Sequence, residues 1–100
     1  MITYSDRDIA LYAQPFDLEK AKAGAKLCQR NGCKARIICY DRRDYKGEGN
    51  PARNLIALAD DPASDRVERI FDYPEDGYYM QIRIPGETPP ETPYDLLIMP

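Results

Sequence analysis

The chain has 100 residues, 43% of them hydrophobic and 31% charged, with a net charge of −3. That length predicts one domain, residues 1–100, with a modest core, and the composition excludes a disordered chain. No run approaches a membrane span, and Asp6, Arg7 and Asp8 stand where the apolar part of a secretion signal would begin. A cytoplasmic location without membrane contact is therefore expected.

Cys28, Cys33 and Cys39 are odd in number, and their C-x4-C-x5-C spacing is not that of a zinc site. They are expected to be reduced thiols packed in the core. The chain has no histidine, which removes the commonest general base, nucleophile partner and metal ligand. No constellation of carboxylate, Tyr or Lys stands out in its place. A protein without catalytic residues, metal or cofactor is expected.

In chain order, 8–14 is a short apolar stretch that suits an edge strand ended by Pro15. Asp17 has the character of a helix N-cap, with Phe16 placed as a staple against Ala21. Leu18 to Ala23 are strong helix formers, and Gly24 sits where a glycine closes a helix. So short a helix needs a sheet to lie on. The segment 26–41 contains Asn31-Gly32 between two strand-like runs, which predicts a two-residue type I′ hairpin. In that register Arg30 faces Cys33, Cys28 faces Ala35 and Lys26 faces Ile37. Cys28, Cys33, Ala35, Ile37 and Cys39 then share the core face.

Residues 42–53 form a long polar loop, and long loops on compact scaffolds often carry function. Residues 55–59 read as a buried strand, 60–64 as a turn and 66–72 as a further strand. Residues 73–77 hold an Asp-Gly turn, followed by a returning strand over 78–84. Prolines 85, 89, 90 and 93 predict an extended crossing over 85–93. Residues 94–99 are apolar enough to dock on the core. The expected architecture is α+β: one short N-terminal helix and about five antiparallel strands forming a small, partly open SH3-like barrel.

Charge is uneven. From Lys20 to Arg53 there are ten basic and three acidic residues, and from residue 54 onward three basic and ten acidic. Such asymmetry points to an anionic ligand or to self-association as a homo-oligomer. A sequence pI near 4.9 argues against duplex nucleic acid as a partner. Arg42, Arg43, Arg53, Tyr40 and Tyr45 gather in or beside the long loop, and Tyr78 and Tyr79 follow the Asp-Gly turn. Arginine forks suit phosphate and tyrosine rings suit bases, so these residues are candidates for binding a small nucleotide. They suit a protein partner equally, because Tyr and Arg are typical interface anchors.

The stretch FDLEKAKAGAKLCQRNGCKARIICYD, with NLIALADD, the later Asp-Gly turn and the closing YDLL, resembles small proteins encoded by phages and prophages. That resemblance implies no activity. The order of short helix, A-x-x-G-x-K, R-x-G (Arg30, Gly32) and closing Asp95, Leu96 and Leu97 is also similar to the phage anti-Thoeris sponge proteins. Those are oligomers that sequester cyclic nucleotide signals of host immunity, and the likeness adds Arg30 to the candidate ligand residues. Cys33 stands where that family carries a tryptophan.

Overall fold

The computed structural model describes residues 11–44, 51–80, 83–84 and 86–100. Its helix forms where the local chemistry places it. Asp17 is the N-cap, with its Oδ1 accepting the Lys20 N–H at 3.1 Å, and helix α1 runs over Leu18–Lys22. Ala25 N–H then donates to Lys20 O and Gly24 N–H to Ala21 O, the paired bonds of a Schellman motif. Phe16 packs with the cluster of Ala21, Leu27 and Ile98, as a staple would.

Among the described residues six strands follow one antiparallel plan: β1 (Gln14–Pro15), β2 (Leu27–Gln29), β3 (Lys34–Cys39), β4 (Leu55–Asp61), β5 (Ser64–Tyr73) and β6 (Leu96–Ile98). Their order across the sheet is β1-β6-β2-β3-β4-β5, so among the described residues the sheet is open, with β1 and β5 at its edges. The α+β architecture with a partly open antiparallel sheet is thus present, with six strands where the sequence suggested about five. The edge strand expected over 8–14 does not form as such: Leu11 and Tyr12 are helical, and only Gln14 of that stretch enters β1, together with the proline expected to end it. Residues 8–10 lie outside the described residues. The apolar tail docks on its own chain, with β6 between β1 and β2.

The β2–β3 hairpin differs from its expected register by one residue. Asn31 does not take positive φ; Gly32 alone does, at 93°. The reason is the Asn31 side chain, whose Oδ1 accepts the Cys33 N–H at 3.0 Å. Held in this Asx turn, Asn31 keeps ordinary backbone angles, and Arg30, Asn31 and Gly32 form a three-residue connection. Gln29 N–H donates to Cys33 O, and the strands pair Leu27 with Ala35 and Cys28 with Lys34. A slip of one residue moves every side chain to the other face. Leu27 therefore joins Ala35 and Ile37 on the helix side, while Cys28 turns to the opposite face with Leu97, Ala13 and Met99.

A second departure lies in β3. Its register with β4 shifts between Ile37, opposite Ala57, and Cys39, opposite Ile56. The bulge sets Ile38 and Cys39 together against Ile56, so Cys39 leaves the core face. Cys28 and Cys33 are buried and Cys39 is half-buried, so the core reading holds for two of the three. Burial pushes the Cys28 thiol up to about 11.

The returning strand expected over 78–84 does not form among its described residues. Gly77 N–H closes the turn onto Pro74 O, but Tyr79 N–H then donates to the Asp95 carboxylate and Leu96 N–H to Gly77 O. The chain crosses toward β6 instead of pairing with β5. Gly77 seats that crossing: at φ 79° a Cβ would lie 2.7 Å from Phe16 Cγ.

Candidate functional site

The core lies on the helix side of β4 and β5, where Leu55, Ala57, Ala59, Phe71 and Tyr73 are buried with Leu96. Tyr79 and Tyr94 complete an aromatic group there, with ring centroids of Phe71 and Tyr79 5.7 Å apart and of Phe71 and Tyr94 5.5 Å apart. Tyr73 is held at its hydroxyl, which accepts from Gln29 Nε2 at 2.9 Å and donates to Tyr94 O at 2.7 Å. Its burial, the largest influence, raises the phenol's pKa, so the hydroxyl stays protonated.

The sequence-predicted ligand residues fall into separate settings. Arg42 and Arg53 meet at one carboxylate of β5: Arg42 Nη1 reaches Asp72 Oδ2 at 2.7 Å and Arg53 Nε reaches Asp72 Oδ1 at 2.8 Å. Burial of Asp72 raises its pKa, but the hydrogen bonds from Arg53 and Arg42 outweigh it and hold the carboxyl below its ordinary range. Arg53 is only 7% exposed, and its guanidinium lies 5.0 Å over the Tyr79 ring. The clamp continues along the loop base, where Arg53 N–H donates to Asp44 Oδ2 and Asn54 Nδ2 to Arg42 O. These two arginines and Tyr79 thus have partners within the fold. Arg43 is exposed, and Tyr45 lies outside the described residues, as do residues 46–50.

Arg30 and Tyr78 line a cavity of about 330 Å³ with Asp76, Glu91 and Asp95. Its lining carries more acid than base. Arg30 Nε pairs with Asp95 Oδ2 at 3.3 Å, and Arg83 pairs with Asp76 at 2.9 Å. Asp95, 1% exposed, also accepts from Thr92 N, Thr92 Oγ1 and Tyr79 N. That buried carboxylate ties the hairpin, the crossing segment and β6 together. Tyr40 sits apart from both groups, lining a groove of about 480 Å³ with Lys26, Lys34, Arg36 and Ile37 beside α1.

Sequence reasoning passed over the surface on the other side of β3–β5. The register aligns Arg36, Leu58 and Ile70 in one row, and Cys39, Ile56 and Asp72 in the next. Ile70 is 74% exposed and Ile38 52%, with Leu58 and Ile56 half-buried between them. Paired charges border the patch. Arg36 holds Glu68 through two hydrogen bonds of 3.1 and 2.9 Å, and the Arg42–Asp72 pair closes the far side. The Arg36 hydrogen bonds hold the Glu68 carboxyl below its usual value. The signal that could have found this face is the alternation in 66–72, where Ile70 keeps the phase of Arg66 and Glu68 rather than that of Phe71.

A family model described as Haemophilus phage HP1 protein YO09 matches residues 13–86, about three quarters of the chain. The chain belongs to that phage protein family, whose description states no activity. No curated protein and no solved structure matches, so the likeness to the anti-Thoeris sponges gains nothing from these comparisons. Among the described residues, no helix is long and apolar enough to cross a membrane.

Proposed function

We propose that this phage protein is a non-enzymatic binding module that docks on a partner protein of host or phage through the open face of β3–β5. The observation that carries the reading is the exposed cluster of Ile38, Ile56, Leu58 and Ile70 on a sheet whose opposite face already buries the core. An apolar patch rimmed by charged residues is typical of a protein-interaction site. The fitting partner is a folded protein with an apolar patch of its own. Its border carries charges of both signs to meet Arg36–Glu68 and Arg42–Asp72, which would set orientation more than affinity.

The test compares the intact chain with Ile70→Lys as bait in host extract, with the captured protein identified and then purified. The purified partner should bind the intact chain and bind Ile70→Lys about a hundredfold more weakly, since central anchors carry most interface energy. Equal binding by the two sinks the reading.

A second reading, sequestration of an anionic nucleotide, is favoured by one observation: the groove beside α1 is lined by apolar Leu27 and Ile37, by Tyr40, and by Lys26, Lys34 and Arg36. Calorimetry against cyclic di- and trinucleotides decides it. Absence of binding tighter than about 10 μM, roughly −7 kcal/mol, ends it.

A further inference from the structure

We propose that the groove beside α1 binds one free long-chain fatty carboxylate, with the alkyl chain in the groove and the carboxylate among the lysines around it. The site is distinct from the open face, and the proposal stands whether or not a protein docks there. It shares its groove with the nucleotide reading but requires a different ligand, so each can fail without the other.

The groove follows from unequal strand lengths. β2 pairs with β3 only at Leu27 and Cys28, opposite Ala35 and Lys34, and β3 runs on to Cys39. The chain between α1 and β2 turns away there, and a groove of about 480 Å³ opens beside Ile37. Ala21 and Leu27 are buried along it, and Ala25, Ala35, Ile37 and Met99 are half-buried. A nucleobase needs ring faces and fixed hydrogen-bond partners, and among the neutral lining residues Tyr40 alone offers either. An alkyl chain needs only apolar surface.

Charge supplies the other half of the ligand. Every ion pair among the described residues is made by an arginine. Lys20, Lys22, Lys26 and Lys34 are exposed and make none. Lys26 and Lys34 line the groove, and Lys20 and Lys22 flank Ala21 on α1. Glu19 is the only acid between residues 18 and 40, so the field there is positive in a chain of net charge −3. The apolar surface is recessed, which suits a single chain; insertion into a bilayer needs apolar groups that project.

Calorimetry with dodecanoate below its micelle concentration should show one site per chain, with a Kd below about 100 μM. Octanoate, four methylenes shorter, should bind at least about tenfold more weakly. The double variant Lys26→Glu, Lys34→Glu should lose about tenfold, and so should Ala25→Leu, which narrows the groove; circular dichroism reports whether each remains folded. Ile70→Lys should bind as the intact chain does, which separates this site from the open face. Many dodecanoates per chain, equal affinity for the two chain lengths, or indifference to all the groove substitutions overturns the proposal. Sedimentation with phosphatidylglycerol vesicles but no uptake of dodecanoate also overturns it, in favour of a membrane surface. Heat from cyclic nucleotides with none from dodecanoate sinks it and leaves the nucleotide reading standing.

Discussion

The two halves of the sheet are built on different terms. In β2 and β6 every residue is buried, so Leu27, Cys28 and Gln29 and Leu96, Leu97 and Ile98 have protein on both faces. In β4 burial alternates strictly from Leu55 to Ala59, and the half-buried members look out over the open face with Ile70. One half is a closed core held by buried polar ties; the other is a one-sided sheet that leaves apolar surface in solvent. A strand buried on both faces spends its side chains on stability, whereas a one-sided strand has a row to present to something else. The difference assigns folding strength to β2–β6 and leaves β3–β5 as the face proposed above for docking. Its sharpest consequence is that substitutions in the two halves should separate stability from binding.

The largest effect is expected at Asp95, whose carboxylate accepts four hydrogen bonds in the closed half. Asp95→Asn leaves Arg30 without its buried partner and should cost about 3 kcal/mol in urea unfolding. A loss below about 1 kcal/mol would show that the tie is dispensable. Tyr73→Phe comes next. It strips the partner from buried Gln29 Nε2 and from Tyr94 O, a loss of about 1–3 kcal/mol by the same measurement.

Asp72 sharpens the border between the halves. Its folded pKa is depressed, so its contribution is complete above the ordinary Asp value of about 3.9 and fades as pH falls through the lower folded value. Asp72→Asn should remove that part of the acid-side slope below about pH 4, leaving stability nearer neutrality lower but flatter; an unchanged slope refutes the assignment. The smallest stability effect belongs to Ile70→Lys on the open face, within about 0.5 kcal/mol of the parent by thermal melting. A loss of several kcal/mol there would mean that Ile70 is covered in the native protein.

Thiol chemistry draws the same line. Cys28 is buried with its pKa at about 11, and Cys33 is buried, whereas Cys39 is half-buried on the open side with its Sγ 3.3 Å from Asp41 Oδ1. A thiol reagent near pH 8 should modify one equivalent in the native protein and the remainder only after denaturant. Release of two or more equivalents from the native state contradicts the closed core.

Features set by neighbours in sequence were legible from the residues alone. The Asp17 cap, the Gly24 stop and the apolar tail follow from short-range chemistry, and the structure has all three. The hairpin was half legible: Asn31-Gly32 marks the turn, but the choice between two and three residues rests on the hydrogen bond from Cys33 N–H to the Asn31 side chain. The Arg and Tyr candidates misled for a long-range reason. Asp72 is far in sequence from Arg42 and Arg53, and Asp95 is far from Arg30, so the arginines read as unpaired until the fold brings their acids to them. The strand expected over 78–84 failed the same way, because Asp95 takes the Tyr79 N–H that a ladder would have used.

The place of β6 also sets the order of events in folding. β2, β3, β4 and β5 each pair with the next strand along the chain, while the other edge of β2 waits for a partner about seventy residues further on. Loop closure over that distance is slow compared with hairpin formation, so the β3–β5 meander is expected to form first, with β2 uncapped beside it. Until β6 arrives, the apolar side chains of Leu27 and Cys28 stand open, and a stray strand can occupy the vacancy. Newly made chains at high concentration, as during phage expression, therefore meet their greatest aggregation hazard in that interval, and the insertion of three residues ends it.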